Sequence, residues 1–313
     1  MPKAELMNYL TYSYLLTPLH TGASSQAGNL MGIAREAHTE LPYLPSSSLR
    51  GKIRSTLEAM HPNEAGAFFG ERIKDGQQPT EGEVWFADAT LLFFPIASHS
   101  HQFVWITCPL WLSRCNRWLQ DDGLQSLITE WRSLLNKTPD AGGKKAITSV
   151  SGNQIYLQGA LLNSTDIQPI DSNADCWNCF QKLPDGNGIL DLKNKLVILS
   201  DDDCAGLVEI GLQREVRVAL DDEKGEKVVK GGSFRSEEAI PSETVLFFPW
   251  GLKPAKDEKK TEIVRASLSD VLNDRLQFGG LEGLGRGWTA NTTVALNSEQ
   301  KQKKSGQEEV GNA

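Results

Sequence analysis

Three stretches of this chain combine residue types and spacings able to handle phosphate groups or protons. The first is LPYLPSSSLRGKIR, residues 41–54. Pro45 and the serines Ser46, Ser47 and Ser48 mark a helix start, where first-turn N–H groups lack intrahelical partners and serine oxygens can accept from them. Exposed amides and the helix macrodipole make such an end a natural seat for an anion. Arg50, Lys52 and Arg54 follow, and residues 41–57 contain no Asp or Glu. The same residues also suit a capped surface helix with solvated charges. The second stretch is GGLEGLGRGW, residues 279–288, with glycines at 279, 280, 283, 285 and 287. Gly283 and Gly285 let the backbone approach a ligand and present amides to it, and Arg286 adds a cation. The Gly-Lys-Ser/Thr ending of a phosphate-binding P-loop is missing, and no strand-to-helix context supports a dinucleotide fingerprint. A tight turn between a helix and a strand is the competing reading. The third is Thr17-Pro18-Leu19-His20-Thr21-Gly22, followed by Arg35 and Glu36, where His20 could exchange protons or simply hold a turn.

Composition limits what these groups can serve. The chain has 313 residues, 39% hydrophobic and 23% charged, which suits a soluble globular protein with one elaborated domain or two smaller ones. No apolar run reaches the ~18–20 residues of a bilayer span, and the N-terminal alternation resembles a strand, so a cytoplasmic address is expected. Five cysteines do not describe a disulfide framework. Cys176 and Cys179 form a lone CxxC; zinc needs four ligands, and only Cys204 with a distant His could complete such a site. Reduced thiols without metal are the reading adopted. The net charge of −8 opposes phosphate binding, which rests on Lys and Arg displacing counterions. Local fields matter more than the total, and acid concentrates elsewhere, at 201–203, 221–223 and 237–238.

The elements that must position these groups follow from pattern. Residues 6–20 alternate as an opening strand, and 21–40 form a long loop. Leu49, Ile53 and Leu57 lie at i, i+4, i+8, the buried stripe of an amphipathic helix. GEVWFADATLLFFPI and HQFVWITCPLWL are expected to be strands, and 117–136 one helix. Further strands are expected at 196–199, 207–220 and 243–249, with a short helix at 201–206. RVALDDEKGEKVVKGGSF has a turn at Gly225 between charged arms, the pattern of a protruding hairpin. SLSDVLNDRLQFGG is a helix ending in a turn, and residues 297–313 form a polar, mobile tail. Intermixed helices and local hairpins favour an α+β fold.

Taken in order, TPLHTG, IAREAHTELPYLPSSSLRG, FADATLLFFPIASHSHQFVWITCPLWL, LVILSDDDCAGLV, REVRVALDDEKG with GGSFRSEEAIPSE, and FGGLEGLGRGW resemble the RAMP superfamily of CRISPR proteins. More narrowly they are similar to the repeated backbone subunits, subunit four, of type III-B (Cmr) RNA-guided complexes. The resemblance implies a single RAMP domain over 1–296. It would comprise a ferredoxin-like (RRM-related) palm at 1–200 and 243–296, inserted helical elements, and a β-hairpin thumb within about 201–242. Implied partners are a CRISPR guide RNA, complementary target RNA, further copies of the chain in a filament, and other Cmr subunits including the large Cas ten-type subunit. No membrane is involved. Implied RNA contacts are Ser46, Ser47, Ser48, Arg50, Lys52, Arg54, Arg35, Gly283, Gly285 and Arg286, with Arg50 on a guide phosphate.

One departure bears on activity. Family members that cut target RNA carry an Asp three residues before the Ile of an Ile-x-Arg-Glu element. Here Ile33-Ala34-Arg35-Glu36 puts that position at Leu30, and no Asp precedes Asp75. Cleavage joining a ribose 2′-OH to its phosphate uses a carboxylate to bind metal or move a proton, which leucine cannot do. His20, Glu36 and Glu238 are the candidate substitutes. The expectation is a backbone subunit with weak or lost cutting, no tightly bound cofactor, and Mg²⁺ or another divalent ion only if cleavage is retained. The alternatives are an active metal-dependent endoribonuclease in the same complex and a stand-alone guide-processing nuclease. A metabolic enzyme is disfavoured by the absent nucleotide fingerprint and acid/base constellation.

Overall fold

A computed structural model describes residues 8–22, 30–60, 62, 65–70, 82–171, 176–180, 191–223, 226–253 and 258–296. The expected tail from 297, the hairpin turn at Gly225 and the Cys179 side chain lie outside the described residues. In chain order the first elements are β1 (Asn8–Leu15), β2 (Leu30–Met31), α1 (Ser46–Met60), α2 (Ala65–Phe69), β3 (Val84–Phe86), β4 (Thr90–Ser98) and β5 (Gln102–Thr107). Then come α3 (Pro109–Leu119), α4 (Asp122–Leu135), β6 (Ala146–Thr148), β7 (Gln154–Leu157), β8 (Ala160–Asn163), β9 (Ile167–Pro169), α5 (Trp177–Phe180), α6 (Leu192–Lys195) and β10 (Leu196–Leu199). The last are α7 (Asp201–Gly211), β11 (Gln213–Glu223), β12 (Glu226–Ala239), β13 (Val245–Leu252), α8 (Glu258–Leu272), β14 (Arg275–Gln277) and β15 (Trp288–Leu296).

One large mixed sheet organises the chain, in the order β14-β15-β1-β13-β4-β5-β10-β6-β9, with β3 also on β13. β1 lies between β15 and β13, antiparallel to both, and β13 is antiparallel to β4. Helix α1 connects β1 to the β3–β4 side, and α8 connects β13 to the β14–β15 side. β13 reads VLFFPWGL with every residue buried, because both faces of the sheet are covered. Leu246, Phe248 and Trp250 pack with Leu49, Ile53 and Leu57 of α1 and Leu268 and Leu272 of α8. Val245 and Phe247 pack with Leu112 of α3 and Leu124 and Ile128 of α4 on the other side. Fully burying each such side chain contributes about 1.5–3 kcal/mol. The fold is therefore α+β around a covered mixed sheet.

Several expected elements need correction. The strand expected over 101–112 runs from Gln102 and stops at Thr107: Cys108 is the extended N-cap of α3 and Pro109 its first residue, where a missing N–H costs nothing. The single helix at 117–136 is two helices. Gln120 takes a left-handed conformation (φ 53°), and the Asp121 carboxylate accepts from Leu124 N–H to start α4. The helix expected at 201–206 runs on as α7 to Gly211, so the strand expected at 207–220 starts only at Gln213, as β11. Among the described residues no helix is long and apolar enough to cross a membrane.

Candidate nucleic-acid interface

Helix α1 starts against β4. The Asp88 carboxylate accepts from Ser46 N–H at 2.7 Å, and the Pro45 carbonyl accepts from Ser48 and Leu49 N–H. A protein carboxylate thus already sits where an anion would cap the helix. Arg50 donates from Nη1 to the Val84 carbonyl and from Nη2 to the Phe69 carbonyl, with its guanidinium over the Phe69 ring. Burial pushes its pKa down, with Arg54 adding to the effect. Arg54 donates to Glu58 and to the Gly70 carbonyl. These two arginines close the carbonyl end of α2, so their guanidinium groups are engaged in the RNA-free chain. Lys52 is different: it is partly exposed and 3.6 Å from Glu282 of the glycine loop.

That ion pair brings together two motifs distant in sequence. Ser48, Gly51, Lys52 and Ser55 of α1 line a cleft of about 280 Å³ with Gly279 and Glu282. On the other flank of the helix start, Ser46, Ser47, Arg50, Trp85, Phe86 and Lys253 line a cleft of about 440 Å³.

The glycines of the loop divide by role. Gly279 and Gly287 have φ near +80°, and a Cβ there would meet the His20 carbonyl oxygen at 2.4 Å and the Phe278 carbonyl oxygen at 1.8 Å. They let the loop lie flat on the main chain of 18–20 and 278. Gly283 and Gly285 face open space, although Gly285 N–H donates back to Glu282 and its φ is +75°. Gly287→Ala is expected to cost at least ~3 kcal/mol in a chemical denaturation curve, since backbone must move as well as adopt a strained φ. Gly283→Ala, with no neighbour within 4 Å, should stay within ~0.5 kcal/mol of the parent.

The remaining predicted residues meet at the base of the hairpin formed by β11 and β12. Glu238, 3% exposed, accepts from Arg35 and Arg214, each at 3.0 Å. Glu209 on α7 binds the same two arginines, closing a ring of four charges. Burial raises the pKa of Glu209, but the hydrogen bonds from Arg35 and Arg214 outweigh it and hold the group below its usual range. Arg286 is nearly buried and donates to Glu215 on β11 at 2.7 Å. This hydrogen bond is the main reason the Glu215 carboxyl sits below its ordinary pKa. His20 donates from Nδ1 to the Glu238 carbonyl oxygen at 2.8 Å. Glu36 stands apart, held by a two-pronged contact with Arg114 of α3 at 2.9 and 3.0 Å. Leu30 lies in β2, paired in parallel with Ser236 of β12. Among the described residues no three His, Cys, Asp or Glu side chains converge as metal ligands.

Sequence reasoning missed Asp88, Arg114, Glu209, Arg214, Glu215 and Arg217. Charged residues alternate along both arms of the hairpin, which was a signal, but the register was not readable. A register continued without slippage from Glu223↔Glu226 would set Arg214 opposite Arg235. An irregularity between Val218 and Leu220 puts Glu238 there instead.

A covered mixed sheet with a charged hairpin at one side, and a helix start sharing a cleft with a glycine loop, define a RAMP-type architecture. Residues 14–290 match the RAMP superfamily, and the chain belongs to that superfamily. It is 28% identical over 288 residues to the CRISPR system Cmr endoribonuclease Cmr4 of Pyrococcus furiosus, covering 91% of this chain and 95% of that protein. Its fold is similar to a chain of the type III-B Cmr-beta complex bound to cognate target RNA (TM-score 0.69, 20% identity, covering 93% and 97% of the two chains). It is likewise similar to oligomeric Cmr4 from Pyrococcus furiosus (TM-score 0.66, 23% identity, covering 94% and 100%).

Proposed function

We propose that this chain is a guide-RNA-binding backbone subunit of a type III-B CRISPR interference complex acting in antiviral defence in the cytoplasm. It positions complementary target RNA and assembles with further copies of itself and with other Cmr subunits, including the large Cas ten-type subunit. The sheet order β15-β1-β13-β4, with α1 and α8 as crossovers, supports a ferredoxin-like palm. α7 and the β11–β12 hairpin, inside 201–242, form the thumb, with the palm at 1–200 and 243–296 and the tail beyond. The observation that carries the reading is the cleft where Ser48 and Lys52 meet Gly279 and Glu282.

Lys52 is the cation of that cleft whose partner is an exposed carboxylate, so a phosphate can replace Glu282 at little cost. Lys52→Ala is expected to weaken binding of single-stranded RNA about three- to tenfold near ~0.1 M salt and to lower the log–log salt slope by about 0.7. An unchanged slope would take α1 out of the RNA path. Isolation of the native assembly should also yield a bound small RNA of discrete length.

Target cutting is weak or lost. Leu30 stands at the family Asp position, and residues 23–29, ASSQAGN, supply no carboxylate, imidazole or thiol. Glu36 and Glu238 are each paired with arginines, which supports this reading. The second reading is an active metal-dependent endoribonuclease; similarity to the Pyrococcus furiosus Cmr endoribonuclease Cmr4 favours its cleavage activity.

A further inference from the structure

We infer that the outer face of the β7–β8 hairpin, with the end of α7 beside it, docks a different protein subunit of the assembly proposed above, on which this inference rests. The occupant it fits is apolar opposite the hairpin and basic opposite α7. Residues 89–113 and 146–165 contain no Asp, Glu, Lys or Arg, although 23% of the chain is charged. Folding brings the two stretches together. Gln158 N–H donates to the Ala97 carbonyl at 2.8 Å, and the Tyr156 and His99 rings meet edge-on with centroids 6.2 Å apart. Gln158 Nε2 donates to the Ile210 carbonyl at 3.0 Å, which lays the hairpin tip against the end of α7.

Strand alternation sets what faces outward. Ile155, Leu157 and Leu162 are buried in the core beneath the hairpin, so Tyr156 and Leu161, directly opposite each other, project from its other side. They are 40% and 43% exposed, and Ile210 is 49% exposed. The solvent side of an antiparallel ribbon is ordinarily polar, whereas interface centres lack charge and favour Tyr. Among the described residues β8 pairs only with β7, and its sequence ALLN has no Lys or Pro to block its open edge. Charge then selects the occupant. A polyanion meets no Lys or Arg on either stretch, and α7 opens with Asp201, Asp202 and Asp203. Asp203 and Ile210 are both exposed and lie about two turns apart on one face of the helix. A second copy turned onto this same face would set Asp202 and Asp203 against uncharged stretches or another α7, with no cation in either case. A different subunit carrying Lys or Arg at that margin satisfies both parts of the surface.

The test compares hydroxyl-radical labelling of Tyr156, Leu161 and Ile210 in three preparations. These are the full chain alone, the full chain with a single-stranded oligoribonucleotide, and the native assembly isolated through a tag on this chain. Labelling in the native assembly is expected to fall about fivefold or more below both others, as for side chains at an interface centre. Equal labelling in all three would overturn the surface. Protection already complete with RNA and copies of this chain alone would overturn the choice of a different subunit. Tyr156→Ser combined with Leu161→Ser leaves the buried side of the hairpin intact, and unchanged amide exchange at 154–163 would show that it stays folded. This variant should reduce one co-isolated subunit about fivefold relative to the chain while keeping any bound RNA. Unchanged subunit ratios in the folded variant would overturn the inference. Protection in a native assembly that carries no RNA would sink the guide-binding reading and leave this surface standing.

Discussion

Glu238→Ala is expected to destabilise the folded chain by about 2–4 kcal/mol, seen as a lower denaturant midpoint with an unchanged slope. Glu238 is 3% exposed and lies between Arg35 and Arg214. Removing it leaves two guanidinium groups without their shared carboxylate, and breaking a buried pair from one side typically costs ~3–5 kcal/mol. The lower end applies because Arg214 is nearly half exposed and both arginines keep Glu209. Glu238→Gln retains one acceptor oxygen and should cost about half as much. The site also ties three parts of the chain together: the segment carrying Arg35, helix α7 and both hairpin strands. Amide exchange at 213–218 and 234–239 should therefore quicken in Glu238→Ala more than exchange in β13, where the large sheet holds the backbone. Uniform quickening across both regions would show that the ring supports global stability alone.

Local pattern carried part of this. Leu49, Ile53 and Leu57 are each fully buried, as their spacing requires, because one helical face must meet the sheet whatever its partner. The hairpin was readable from its two charged arms around a glycine. The strand partners were not readable, since β1 takes its neighbours from the far end of the chain: Thr11 meets Thr293 across 282 residues and Trp250 across 239. The run over 101–112 reads as one strand through Pro109 because strand preference and a helix start at proline compete there. Only the chain's reversal after β5 decides between them.

Site residues were legible by type more than by role. A basic stripe on α1 was visible, but Arg50 and Arg54 turn to carbonyls at 69, 70 and 84, and that depends on how α2 and β3 dock. The acidic balance of the chain has a counterpart in this geometry. Arg35, Arg286 and Lys52 each carry a carboxylate from another element, so the cations are held in place by ion pairs.

Leu30→Asp is expected to raise cleavage of complementary RNA by about 10²-fold or more over the parent, measured in an assembled guide-bound complex with magnesium. Leu30 is half-buried in β2, beside Ser236 and one residue from the Met31↔Glu237 pairing, so a carboxylate there would lie at the root of the hairpin where RNA is expected to cross. The candidate substitutes nearby are each engaged with other groups in the free chain. His20 is buried, with Nδ1 committed to a main-chain oxygen, Glu238 is clamped by two arginines, and Glu36 is turned toward α3 by Arg114. Leu30→Asn, matched in shape but unable to hold a negative charge or take a proton, should remain as slow as the parent. Fast cuts at regular spacing by the parent, abolished by Glu36→Ala or His20→Ala and indifferent to position 30, would reverse the conclusion. They would mean that RNA binding releases one of these groups from its partner, and that the ion pairs of the free chain hold the catalyst in reserve.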